Sequence, residues 1–508
     1  MIAPIFEELY NRGAPFCLID CRERRDYVNG HWFGSTNIPL STLPTRLPFL
    51  CQDRSFPIHY LDWGDTASEV TLKYMCGMGY HNVTAHKTMP PTGPNNGYVQ
   101  GEYVWSKAFG EIVSHQSDVL EMSPKQYLSD HQDAQLVDVR PYNEYNRFTL
   151  PGSKNLPNSL LLANIDGLRQ HDGLVLLHCA GRTRSIIGAH TLQAAGYDGR
   201  FGIFRGGTQA WELDGFKREN GAIQNIAACS ETKTHVTDFL RRWQIMCTTI
   251  NPYDLDEFIK SRKSQLMFDV SDDSANGYLV AHRVIKISGT NLVQQTDRSI
   301  ARYNVPIILF DTASGCRAAF GAYWLSRMGF TVEIAIVQEN SFTLAPQQRD
   351  DSVKNENSPV PRWLANGTQI FDFRLHKDYI SGHIKTSIWH NITSILSKKP
   401  ERKTIGVVAP CAKTGKMISD ILTGYGWHID TVCSWADQGL ELNSLLSTGV
   451  LSDADKTPID QSALFAGRHF GVLKDAKDYL DWEERLPELI PPAIKDMWQD
   501  RLRSSIDV

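Results

Sequence analysis

The sequence has no Cys-x-x-Cys pair, no dense basic run, and no apolar stretch of the ~18 to 20 residues that a membrane span requires. Each absence excludes a class of protein. Ten cysteines in 508 residues are too sparse for a disulfide scaffold, and Cys17 and Cys21, four apart in a strand-like segment, suit zinc poorly. With no basic patch and a net charge of -5, the chain has no general attraction to nucleic acid or to anionic membranes. Glu7 and Glu8 stand where a secretory leader needs its apolar core, so a cytoplasmic location is expected, with neither metal nor cofactor.

What is present is a repeat. Hydrophobic content of 42% and charged content of 21% describe an ordinary globular chain, and its length calls for several domains. Four segments share an apolar strand closing on aspartate: "FCLID", "QLVD", "LMFD" and "IFD", with anchors at Asp20, Asp138, Asp269 and Asp372. The anchors lie 118, 131 and 103 residues apart, a period that suits whole domains. About forty residues on, each unit reaches a second strand, in "IHYLDWGD", "LVLLHCAG", "PIILFDTA" and "IGVVAPCA". A helical stretch follows, stopping at Gly79, Gly196, Gly329 or Gly426, each just before an aromatic residue. Strands alternating with helices predict an α/β fold of four tandem units, each a small, mainly parallel sheet flanked by helices.

The units are expected at 1–95, 115–228, 248–345 and 360–450, with a helical tail at 451–508. Proline and polar residues mark linkers at 88–101 and 345–362. Ser123 and Asn251, each followed by proline, read as helix caps. The tail segment "PPAIKDMWQDRLRS" reads as an amphipathic helix packing on the last unit.

The stretch "LVLLHCAGRTRSIIGAH" (174–190) concentrates the chemistry. Cys179 ends an apolar strand, and ligands of α/β sheets bind at such ends, where helix N-termini also point. If Ser185 opens the next helix, the residues 179–184 curl before its first turn. Free backbone N–H groups there stabilise an anion, and such surroundings favour a thiolate or persulfide. Gly181 lets the loop turn tightly, and Arg182 and Arg184 offer planar donors to an oxyanion.

These residues resemble a known family. The Asp-Val-Arg at 138–140, Asn-Leu-Pro at 155–157, Cys-x4-Arg-Ser at 179–185 and "FRGGTQAW" at 204–211 are similar to the motifs of rhodanese domains, most strongly in the second unit. The resemblance implies sulfur transfer: a small anionic donor such as thiosulfate loads sulfur onto Cys179, and cyanide, a thiol or an acceptor protein removes it. It implies that Arg182 and Arg184 bind the donor, while the backbone of Ala180, Gly181, Thr183 and Ser185 holds the charged sulfur. Related phosphatases resemble Cys-x5-Arg; the shorter loop here favours sulfur.

The other three loops are expected to be degenerate. Asp62 takes the cysteine position in the first unit and Thr312 in the third, where Cys316 and Arg317 read as a helix start. In the fourth, "APCAKTGKM" puts Cys411 at the strand end and Lys416 in the place of Arg184, a degenerate site or a secondary sulfur acceptor. It lacks the first glycine and the hydroxyl of a P-loop. His178 reads as a core histidine, Asp138 and Arg140 as a structural ion pair, His31 and His383 as packing residues, and Trp211 and Trp435 as core or site edge. The alternative reading of the chain is a persulfide carrier, redox sensor or scaffold for a partner protein, with Cys179 as its sensing thiol.

Overall fold

The computed structural model describes residues 5–91, 97–226, 232–262, 264–272, 276–280, 283–338, 359–400, 404–437, 446–448, 458–462 and 464–503. Much of the linker expected at 345–362, and part of that at 88–101, lies outside them.

Each aspartate closes its strand. Phe16–Asp20, Gln135–Asp138, Leu266–Asp269 and Gln369–Asp372 run parallel to Ile58–Asp62, Val175–His178, Ile307–Asp311 and Thr404–Ala409 respectively. The second strand in turn pairs in parallel with a third: Val83–Lys87, Phe201–Phe204, Val332–Val337 and His428–Ser434. The same order recurs in four sheets, with a short parallel strand on the far side of each anchor strand. The second and third sheets gain one further parallel strand, Leu120–Met122 and Cys247–Ile250. Apolar runs buried on both faces are what parallel strands between helices require.

The glycine stops are left-handed, with φ of 88°, 71°, 104° and 87° at Gly79, Gly196, Gly329 and Gly426. After each, the aromatic N–H bonds back five residues: Tyr80 to Met75 O, Tyr197 to Leu192 O, Phe330 to Leu325 O and Trp427 to Leu422 O, at 3.0–3.1 Å. This closes the orphan carbonyls of the last turn. The caps at Ser123 and Asn251 are formed, the first as a reciprocal box with Gln126.

The sheets do not stand apart. One continuous core runs from Phe6 through Phe109, Ile186 and Trp324 to Trp498. A central helix, Val104–His115, is buried from Val104 to Val113. Arg302–Tyr303, beyond the third anchor strand, adds antiparallel to the first sheet. The tail corrects one expectation. The helix Pro492–Arg503 packs on the central helix and on Cys316–Arg327, and Trp498 Nε1 donates to Met328 O at 3.0 Å. The tail helix Leu473–Leu489 lies on the central helix and on Gly207–Leu213. The helix is amphipathic as predicted, with Ile494 and Trp498 buried, but the surface it covers belongs to the central helix and Cys316–Arg327 and not to the fourth sheet.

Candidate active site

The strand Val175–His178 is wholly buried and delivers Cys179, 2% exposed, to its carboxyl end. His178 points away, its Nε2 2.8 Å from Ser153 Oγ, and burial lowers its pKa to about 4. It is a neutral core histidine at pH 7. Opposite it, Asp138 is gripped by Arg140 (2.9 and 2.6 Å) and by Thr149 Oγ1 (2.7 Å). Burial opposes its charge, but the guanidinium and these hydrogen bonds hold the carboxyl well below the usual range. Asp20–Arg22 and Asp372–Arg374 repeat this pair, while Asp269 takes Ser271 instead.

The helix after Cys179 is Thr183–Ala194, so it starts two residues before Ser185. Ser185 Oγ donates to Arg182 O at 2.7 Å and lies 3.9 Å from Cys179 Sγ. The loop carbonyls are taken up by the start of Gly207–Leu213: Thr208 N–H donates to Cys179 O and Gln209 N–H to Ala180 O, both at 3.1 Å. This is the structural task of the "FRGGTQAW" motif. The N–H groups of Ala180, Gly181, Thr183 and Arg184 have no hydrogen-bond partner among the described residues.

The arginines are committed to carboxylates. Arg184 makes a bidentate pair with Glu144 (2.8 and 2.9 Å). Burial works against its charge, but Glu144 and then Cys179 favour it, and its pKa is raised. Arg182 makes a bidentate pair with Glu111 of the central helix (2.8 and 2.9 Å) and also meets Glu121 and Glu484. Three carboxylates around one guanidinium make Arg182 a strut between loop and central helix, not the free donor expected of it. Gly181 is also explained differently. Its φ is not left-handed; an added Cβ would lie 2.8 Å from both Glu483 Oε2 and Tyr479 Cε1 of the tail helix.

Those two tail residues close the site. Glu483, 1% exposed, accepts from Arg182 N–H (3.3 Å) and Thr183 Oγ1 (2.9 Å), and Tyr479 OH donates to it at 2.8 Å. A cavity of about 210 Å³ results, lined by the loop, Gln209, Gln294, Lys107, Arg468 and Tyr479 among others. Lys107, Glu111, Glu144, Tyr479 and Glu483 carried no sequence signal, because they reach the loop from three separate helices far from it in sequence: Val104–His115, Tyr142–Arg147 and Leu473–Leu489.

Strand register locates the other loops. His178 pairs with Asp138, so Cys179 is the next residue; the same count gives Asp62 in the first sheet, Asp311 in the third and Ala409 in the fourth. Asp311, not the expected Thr312, therefore follows the third strand's anchor pair. Its Oδ2 accepts from Arg317 and Ala318 N–H (2.9 and 3.0 Å), a strand-end anion seated on the first turn of the next helix. Burial, opposed by Arg317, raises that carboxyl to about 6. Cys316 is buried at the helix start, 3.6 Å from Ser314 Oγ. Cys411 lies two residues past the register position and caps Ala412–Gly424, as Arg182 caps its own helix. Lys416 is 76% exposed on that helix and pairs with Asp420. Cys411 and Lys416 thus do not converge as Cys179 and Arg184 do. Trp211 fills core beside Phe204, Trp435 lies under Arg374, and His31 and His383 stack on Tyr27 and Tyr379.

Among the described residues no helix is long and apolar enough to cross a membrane. No curated protein sequence matches the chain. Among solved structures, the chain is similar to a thiosulfate sulfurtransferase from Pseudomonas aeruginosa, with 21% identity and a TM-score of 0.80 over 97% of this chain and 98% of that one. A 3-mercaptopyruvate sulfotransferase from Escherichia coli is 15% identical, covering 44% of this chain and 99% of its own, at a TM-score of 0.22. The family model "Rhodanese-like domain" matches residues 123–214, which comprise the strand, the loop and the helix start described above: the chain carries a rhodanese-like domain there.

Proposed function

We propose that the protein is a sulfurtransferase that moves sulfane sulfur from thiosulfate or a similar anionic donor to a thiophilic acceptor through a persulfide on Cys179. The observation that carries this reading is a single thiol at a strand end, in a loop whose carbonyls are tied back and whose Ala180, Gly181, Thr183 and Arg184 N–H groups have no partner among the described residues, facing a cavity lined by Lys107, Arg184 and Arg468 among others. The Cys179 thiolate attacks the sulfane sulfur of thiosulfate; the S–S bond breaks and sulfite leaves with its electron pair. The acceptor then attacks the outer sulfur: a bond forms between acceptor and sulfur, the persulfide S–S bond to Cys179 Sγ breaks, and its electron pair stays on Cys179 as thiolate. Arg184, whose pairing with Glu144 leaves it on the cavity wall, attracts the donor, and the N–H groups of Ala180, Gly181 and Thr183 stabilise the charged sulfur. We also propose that all four sheets are rhodanese-like units, three of them serving as scaffold and pocket wall; the recurring strand order supports this.

Thiosulfate and cyanide are expected to yield thiocyanate. Cys179→Ser should abolish the reaction and Cys411→Ser should leave it intact; full activity in Cys179→Ser would overturn the assignment. The near-complete burial of Cys179 favours a second reading, a persulfide carrier without turnover. Mass spectrometry of the Cys179 peptide separates the two: sulfur that loads from thiosulfate and is not discharged by cyanide identifies a carrier.

A further inference from the structure

The small cavity at Cys179 shares Tyr103, Lys107, Arg468, His469 and Tyr479 with a second chamber of about 530 Å³, which lies between the first unit, the fourth and the tail. A donor the size of thiosulfate needs only the first. The second has the volume of a site for a larger small molecule.

Its walls are cationic and aromatic. Arg24, Arg298 and Lys377 join Lys107 and Arg468, against the carboxylates of Glu102 and Asp460. Lys107 is 4% exposed, and its Nζ has no hydrogen bond or ion pair among the described residues. The ammonium rests 4.6 Å from the Tyr479 ring centroid and 4.5 Å from that of Trp482. Arg468 also lies over Tyr479, 4.5 Å from its centroid; its Nη1 donates to Phe465 O at 2.7 Å, while its buried Nε has no partner among the described residues. A buried ammonium beside a half-buried guanidinium, with no carboxylate in direct contact with either among the described residues, is costly unless a ligand supplies the anion. Phe465 and Trp482 offer faces for the carbon body of such a ligand.

We propose that this chamber is the acceptor site, and that it takes a low-molecular-weight thiol bearing carboxylates, whose sulfur reaches Cys179 past Lys107 and Tyr479. The inference rests on the sulfurtransferase reading. The acceptor thiolate attacks the outer sulfur of the Cys179 persulfide; a new S–S bond forms on the acceptor, the S–S bond to Sγ breaks, and its electron pair remains on Cys179. The product is the acceptor persulfide, with no external oxidant or reductant.

The test loads Cys179 with thiosulfate and then follows sulfur transfer to glutathione and to glutathione diethyl ester, the same thiol with both carboxylates masked. The expected result is a kcat/KM at least tenfold higher for the free acid, and a loss of most of that preference in Lys107→Met and Arg468→Gln. Equal use of acid and ester, or a preference untouched by both variants, overturns the proposal. So does transfer to neither thiol. Thiocyanate formation from cyanide, measured on the same wild-type preparation, keeps the two ideas separate: its absence sinks the sulfurtransferase reading, whereas its presence without acid preference sinks only the acceptor site.

Discussion

At Gly207 the backbone takes a φ of +51°, and an added Cβ would lie 2.1 Å from the Cys179 carbonyl oxygen. The clash is with backbone, so the Cys179 loop itself must move. Gly207→Ala is therefore expected to lower thiocyanate formation at least tenfold. Gly77→Ala, in a helix with nothing within 4 Å of the added carbon, should leave it unchanged. Similar rates for the two variants would show that the loop tolerates displacement. The sequence made some of these residues legible and others not. Cys179, Asp138 and His178 follow from the periods of two neighbouring strands and the residues that close them. The partners Glu111 and Glu144 could not be found that way, because a bidentate contact depends on which element is packed against the loop.

At the scale of elements, the tail helix does what the loop's own sequence leaves undone. Glu483 places a full negative charge at the N-terminus of Thr183–Ala194, where it satisfies one orphan N–H and favours the helix dipole. The same charge repels an anionic donor. Coulomb interaction across partly solvated protein is on the order of 1 kcal/mol at such separations. Glu483→Gln, which keeps the shape and an acceptor oxygen, is expected to lower the KM for thiosulfate about fivefold. An unchanged or higher KM would mean that Glu483 serves only as a cap. The register of Cys411 belongs to this scale as well. Ala409, at the register position, stands seventeen residues before Gly426, as Cys179 stands before Gly196. The segment keeps its length, and the thiol falls two residues along it, at the start of a helix of 13 residues against 12.

Across the whole molecule, a shared core binds the four sheets and the tail into one body around the central helix. Burying Lys107 in that core has a measurable consequence. Burial lowers its pKa to about 8, with Glu483, Glu102 and Asp297 opposing and Arg468 reinforcing the shift. The unfolded chain holds this proton up to pH ~10.4. Between those values the unfolded state binds more protons, so the Lys107 contribution to stability rises with pH. Below pH 8 the buried charge costs roughly 2–3 kcal/mol. Lys107→Met is accordingly expected to be more stable than wild type at pH 7 by about that amount, with the gap narrowing toward pH 10. Denaturant midpoints at both pH values check this; a gap constant with pH, or a less stable variant, refutes it.

From the sequence alone come the recurring α/β pattern, the aspartate anchors, the glycine stops and Cys179 at its strand end with its loop. All of these are local: each depends on the period of a strand or helix and on the residue that ends it. The tertiary structure alone decided where the tail packs, which carboxylates hold the arginines, and that Lys107 and Arg468 face a chamber joined to the sulfur site. Such relations join residues up to hundreds of positions apart, and they depend on which apolar surfaces of the folded units remain to be covered, a property that no single segment encodes.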